Sequence, residues 1–150
     1  MFSNKIRKSV VRITFIFSLM IAASAAWGDN NTPCSNKTLQ GDYGYVAAGS
    51  LLPAPGASVS FGSVGMTHWD GKGHVTWLEH TVIDGHPTAP GWTPSNGTYD
   101  VNPDCTGTAV VITPFSKDPL VLSFVIVKQG KEFHTVLNAH AIVSTYTKVD

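Results

Sequence analysis

The stretch VGMTHWDGKGHVTWLEH, residues 64–80, decides the fold. Two runs rich in Val, Thr and Trp flank Asp70-Gly71-Lys72-Gly73, residues that tolerate the positive φ of a tight reversal, so the segment reads as a β-hairpin. An even-length loop opposes residues whose numbers add to 143. One face then collects Val64, Met66 and His68 with Val75, Trp77 and Glu79; the other collects Thr67 and Trp69 with His74, Thr76, Leu78 and His80. The first face is the more apolar and is expected to point inward, with Glu79 opposite Val64 and beside Trp77. Desolvation there would raise the pKa of the carboxyl, leaving an acid able to donate or accept a proton. In the alternative reading Glu79, near its strand end, reaches water at the rim.

The same punctuation continues in both directions. After Trp27 no stretch of 11 or more residues carries a 3.6-residue period, while Val, Ile, Thr, Tyr and Phe recur in short runs broken by Gly, Pro, Asn and Asp. Strands are expected over residues 41–49, 58–69, 74–83, 97–101, 107–113, 120–128, 132–138 and 142–148. Eight sequential antiparallel strands in a chain this short fit an all-β, eight-stranded antiparallel up-and-down β-barrel, whose closure removes exposed sheet edges. A two-sheet sandwich is the second reading. Two long connections, residues 51–57 and 84–96, should leave one mouth of the barrel, where Leu51, Leu52 and Trp92 would make an apolar lid or a plain plug.

The turn at Gln129-Gly130 pairs residues adding to 259. Val121, Ser123, Val125 and Val127 then share a face with Glu132, His134, Val136 and Asn138, and Leu120, Leu122, Phe124 and Ile126 share the other with Phe133, Thr135 and Leu137. Both faces are largely apolar, which predicts a hairpin covered on both sides and self-association into a homo-oligomer. Ser123, His134 and Asn138 would line the interior if the Leu/Phe face makes the outer contact; the reverse assignment satisfies the same pattern.

Residues 1–26 have a basic start, an apolar run and the small-residue end AASAA, the form of a cleavable secretory signal peptide, leaving residues 27–150 as one domain of a secreted or periplasmic protein without a membrane span. From Trp27 onward six lysines and no arginine face ten acids, an excess of four negative charges that argues against nucleic acid as a partner. The two cysteines, Cys34 and Cys105, lack CxxC spacing and in an exported chain read as a disulfide, worth roughly 4 kcal/mol of restraint on the unfolded chain. His68, His74, His80 and His86 recur every six residues, a spacing that matches no strand chelate or HExxH helix, so no metal site is expected. There is no GxSxG and no phosphate-cradling loop.

Three segments carry a resemblance: LQGDYGY at residues 39–45, DGKGHVT at 70–76 and GTYDVNPDCTG at 97–107. Together they resemble small exported bacterial proteins with an allene oxide cyclase-like barrel, over residues 39–148. That resemblance implies an eight-stranded antiparallel barrel with a ligand-sized interior. The plant cyclases use a buried Glu and Asn with an ordered water; no motif here aligns with that site, and Glu79 comes from strand facing alone.

The expected interior has aromatic walls, Tyr43, Tyr45, Trp77 and Tyr99, with Met66, His68, Trp92 and Ser123 as further ligand contacts. Glu79 would act as acid or base, with Asn138 or His134 orienting a carbonyl or hydroxyl and no cofactor. Three functions follow: a secreted barrel binding a small apolar or lipid-like molecule; a cofactor-independent cyclase or isomerase acting on such a ligand; a structural or host-interaction protein with a filled core.

Overall fold

Burial alternates with period two along every long strand, as a sheet with one inner face requires. The computed structural model describes residues 32–150; the expected signal peptide lies outside the described residues. Nine strands follow a short 3-10 turn (Asn36–Leu39): β1 (Gln40–Leu51), β2 (Val59–Asp70), β3 (His74–Ile83), β4 (His86–Pro87), β5 (Thr93–Val101), β6 (Thr106–Ile112), β7 (Leu120–Val127), β8 (Glu132–Leu137) and β9 (Ala141–Lys148). Each long strand pairs antiparallel with its sequence neighbour, and β9 returns to β1, so eight strands close into an up-and-down barrel. The two-residue β4 is a ninth strand the sequence reading lacks; it pairs only with Val82 and Ile83 at the end of β3. The sandwich reading is excluded.

The first hairpin departs from the expected register by one residue. Trp69 pairs with Val75 and Val64 with His80, so opposed numbers add to 144. The cause is local. The Asp70 carboxylate accepts hydrogen bonds from the backbone N–H groups of Lys72 (2.7 Å) and His74 (2.9 Å), and Gly71 and Gly73 both take positive φ, which fits an odd loop. These bonds also hold the Asp70 carboxyl down at a pKa of about 2. On β3 the inward set Val75, Trp77 and Glu79 stands as expected; on β2 it is Ser63, Thr67 and Trp69 that are buried. Val64, Met66 and His68 therefore lie on the outside, and Glu79 faces Gly65 rather than Val64.

The second hairpin has the expected register, Leu122 with Leu137 through Ile126 with Phe133. Its facing is the reverse of the one that would place Ser123, His134 and Asn138 inside. Leu122, Phe124, Ile126, Phe133 and Leu137 are buried, because the interior needs their volume.

The interior has two unlike halves. At the end that carries the turns 71–73, 102–105 and 128–131, Trp69 packs edge-on against Tyr99 (4.6 Å) and Phe133 (5.0 Å), and Phe133 stacks on Tyr146 (4.3 Å). The 3-10 turn before β1 caps this end: Leu39 is fully buried, and the Asn36 side chain accepts from the Val101 N–H (2.8 Å). The Cys34–Cys105 disulfide ties the entering chain to the β5–β6 connection, its Cα atoms 5.0 Å apart. The other end carries the two long connections together, as expected from an up-and-down order, and it is less completely filled.

Candidate functional site

The less filled half holds a recess. Its cavity volume is about 30 Å3, enough for one or two waters. Its walls are mostly apolar: Tyr45, Trp77, Phe115, Leu122, Ile142 and Tyr146 among others, with Ala47 and Phe61 from β1 and β2. Glu79 lines it and is 2% exposed. Among the described residues no lysine, arginine or histidine lines this recess, so none of them sets a cation across from the buried carboxyl.

What surrounds Glu79 is hydroxyl. Ser95 Oγ donates to Oε1 (2.8 Å) and Tyr45 OH donates to Oε2 (3.0 Å). With its proton committed to the carboxylate, Tyr45 must accept from Ser63 Oγ (2.9 Å), which in turn accepts from Thr81 Oγ1 (2.9 Å). The result is a one-directional chain, Thr81 to Ser63 to Tyr45 to Glu79, in which each bond polarises the next. Thr81 Oγ1 also stands 3.5 Å from Oε2, at the edge of a useful contact. Burial pushes the Glu79 pKa above its ordinary 4.5, and the hydrogen bonds from Ser95 and Tyr45 oppose the rise without cancelling it. Burial, and then the nearby Glu79 charge, push the Tyr45 hydroxyl upward too.

The backbone makes room for this group. A Cβ on Gly65, directly across from Glu79, would lie 2.5 Å from the Leu78 carbonyl oxygen and 2.7 Å from the Tyr45 ring. Only glycine lets Tyr45 swing beneath β2 to reach the carboxyl. Among the described residues three buried side-chain polar atoms have no partner, Trp77 Nε1, Thr113 Oγ1 and Thr135 Oγ1, and of these residues Trp77 lines the recess. Ser95 on β5 and Thr113, just past the end of β6, are both buried.

Of the residues expected in the site, Glu79, Tyr45 and Trp77 come together in the recess. Tyr43 and Tyr99 point inward but belong to the packed half. Tyr43 OH donates to the Gly130 carbonyl (2.6 Å), and burial pushes its pKa up to about 12; Tyr99 OH donates to the Asn36 carbonyl (3.1 Å). Six others lie outside the barrel. Met66 is exposed, and His68 Nδ1 meets Asp42 Oδ1 at 2.7 Å, both displaced by the odd-length turn. Ser123 Oγ donates to Asn138 Oδ1 (2.9 Å) on the outer face, and His134 stands between Thr145 Oγ1 and Glu132 Oε1. Trp92 is 58% exposed and, like Leu51 and Leu52, does not line the recess; the connection that reaches it is the one between β6 and β7, through Phe115.

Sequence reading missed Ser63, Thr81 and Ser95. The correct hairpin register would have found Ser63, and Ser95 needs β5 to begin at Thr93 instead of Gly97, where Thr93-Pro94-Ser95-Asn96 reads as a turn. Comparison with protein-family models, curated proteins and solved structures finds no match for the chain.

Proposed function

We propose that this is an exported barrel that binds a small, uncharged, mostly apolar molecule at the Glu79 end of its interior. The observation that carries the reading is a carboxyl buried at an apolar recess, held by two donors, Ser95 and Tyr45, and left among the described residues without a cation. A binding site of this form combines apolar walls with a few convergent polar groups that fix orientation. The unpartnered Trp77 Nε1 at the recess supplies a donor for a ligand acceptor oxygen, and Glu79 when protonated can donate to the same oxygen or accept from a ligand hydroxyl. The volume selects a slim end group, which enters from the mouth past Phe115. Export is supported by the leader pattern and by the disulfide, a bond typical of oxidising compartments. The likeness to allene oxide cyclase-like barrels supports the same interior site.

Native mass spectrometry of the protein as purified tests the reading. The parent should carry a small molecule, and Ala47→Phe, which fills the recess from β1, should lose it. A parent without bound mass, or an Ala47→Phe variant that keeps it, overturns the proposal in favour of a filled, structural barrel.

The raised Glu79 pKa favours a second reading, a cofactor-independent cyclase or isomerase in which Glu79 transfers a proton to the same ligand. Here Glu79→Gln separates binding from catalysis. Unchanged affinity with lost turnover of an oxylipin or polyketide-like substrate means an enzyme; no turnover by the parent means a binder.

A further inference from the structure

Of the thirteen residues that line the recess, twelve stand on strands of the barrel. The exception is Phe115, which reaches in from the connection between β6 and β7, residues 113–119. The other connections at this end are fastened to their surroundings. Asp84 N–H donates to the Ser60 carbonyl (3.0 Å), Thr88 N–H to the Thr81 carbonyl (2.9 Å) and Asn138 N–H to the Val121 carbonyl (2.9 Å), while Leu52 N–H donates to His140 Nδ1 (3.0 Å). Among the described residues no backbone hydrogen bond joins residues 113–119 to any other segment, and the bond from Ser116 Oγ to the Asp118 carbonyl (2.7 Å) is internal. The sequence supplies the reason: Pro114 and Pro119 have no N–H to offer a neighbouring strand, and Lys117 and Asp118 stay in water.

The base of this connection works against the position it occupies. Thr113 is buried there, and its Oγ1 has no partner among the described residues. A buried hydroxyl left unpaired raises the free energy of the state that holds it, and an outward swing of the connection lets water reach it. Phe115 pulls the other way, its half-buried ring packed into the apolar lining. Two opposed terms of this kind bring an inward and an outward position close in energy. An outward swing leaves a space with the size and shape of a benzene ring beside a cavity that already holds one or two waters, with Glu79 and the unpartnered Trp77 on the same lining. Apolar cavities of about 150 Å3 take up benzene itself.

We propose that residues 113–119 are a flap, and that the molecule bound at the recess takes the place of the Phe115 ring: a six-membered ring, or an equally bulky apolar group, carrying one hydroxyl or carbonyl oxygen. This rests on the reading of the recess as a binding site, and it widens the occupant from the slim group that the closed form admits. Phenol, titrated at neutral pH and followed through the Trp77 indole NMR signal, tests it. A rigid recess for one or two waters has no room for phenol, so the parent should bind it only by moving Phe115, and Ala47→Phe should abolish binding. Phe115→Ala leaves nothing to displace and should bind about tenfold tighter or more, because apparent affinity scales with the fraction of protein already open. Thr113→Val keeps the shape and removes the unpaired hydroxyl. It should favour the closed flap and bind phenol about threefold more weakly, with no loss of melting temperature. Phenol that binds Phe115→Ala but not the parent overturns the flap and leaves the recess as a site for slim groups. Binding to the parent that survives Ala47→Phe, or a Thr113→Val affinity equal to the parent's, also overturns the flap alone. Phenol that binds neither protein overturns it too, and native mass spectrometry of the same parent then tells whether the binding-site reading falls with it.

Discussion

Tyr43 and Tyr45 sit two residues apart on one strand and point the same way, yet they live in different halves of the barrel. Tyr43 is wrapped in rings, edge-on to Phe133, and spends its hydroxyl on a backbone carbonyl. Tyr45 stacks on Tyr146 and spends its hydroxyl on a carboxyl. The first arrangement satisfies a polar tip so that an aromatic body can fill space. The second orients a titratable group in a recess that is not filled. Six or seven ångströms of strand separate a half built for stability from a half whose chief polar group has no structural necessity.

Removing the centre of the packed half should produce the largest effect. Trp69 contacts Tyr99, Phe124, Phe133 and Tyr146 and donates from Nε1 to Thr67 Oγ1 (2.9 Å). Trp69→Ala should cost about 3 to 5 kcal/mol in urea denaturation, from lost transfer free energy and the cavity left behind. A cost below about 1 kcal/mol would show that the aromatic half does not hold the barrel and that the contrast between halves is only visual.

A smaller effect should follow from crowding the other half. Gly65→Ala puts a methyl group 2.5 Å from the Leu78 carbonyl oxygen and 2.7 Å from the Tyr45 ring, so the strand or the ring must move. Overpacking of this kind costs about 1 to 3 kcal/mol. Because the Tyr45 ring is the softer neighbour, the loss of stability should come with a change in the Tyr45 side-chain NMR signals while those of Tyr43 stay in place. Equal disturbance of both rings would mean that the halves are mechanically one.

The architecture was legible in the sequence because period-two burial and turn residues are local signals, and the eight long strands follow from them; the Cys34–Cys105 bond was legible from a pair of cysteines without CxxC spacing behind a leader-like segment. The site was legible only where a facing argument did not pass through a turn. On β3 the inward set came out right, since Trp77 and Glu79 keep the parity of Val75. On β2 it came out one residue off, because the Asp70 carboxylate gathers two backbone N–H groups and sets an odd loop where counting alone allowed an even one. His134, Ser123 and Asn138 were ambiguous for a different reason: both faces of their hairpin are apolar, and what decides between them is the volume of Phe124 and Phe133, a property of the closed interior and not of either strand. Phe115 sits in a loop, where no periodicity points anywhere.

The finest distinction between the halves is a proton. Glu79 has its pKa raised above 4.5 in the folded protein by burial, so the folded state binds more protons than the unfolded one once pH exceeds the unfolded value. Its stabilising contribution is complete below about pH 4.5 and is lost as pH climbs through the folded-state value. Glu79→Gln keeps the shape and an acceptor and removes the titration. Parent and variant should therefore differ by a constant amount at low pH, and the parent should lose ground steadily above it, seen as urea midpoints that diverge with rising pH and then run parallel. The interior tyrosines of the packed half, Tyr43 and Tyr99, have raised hydroxyl pKa values and keep their protons through that window. A difference between parent and Glu79→Gln that stays flat across the range would mean that the carboxyl is fully compensated by Ser95 and Tyr45. The recess would then be as settled as the aromatic end it is contrasted with.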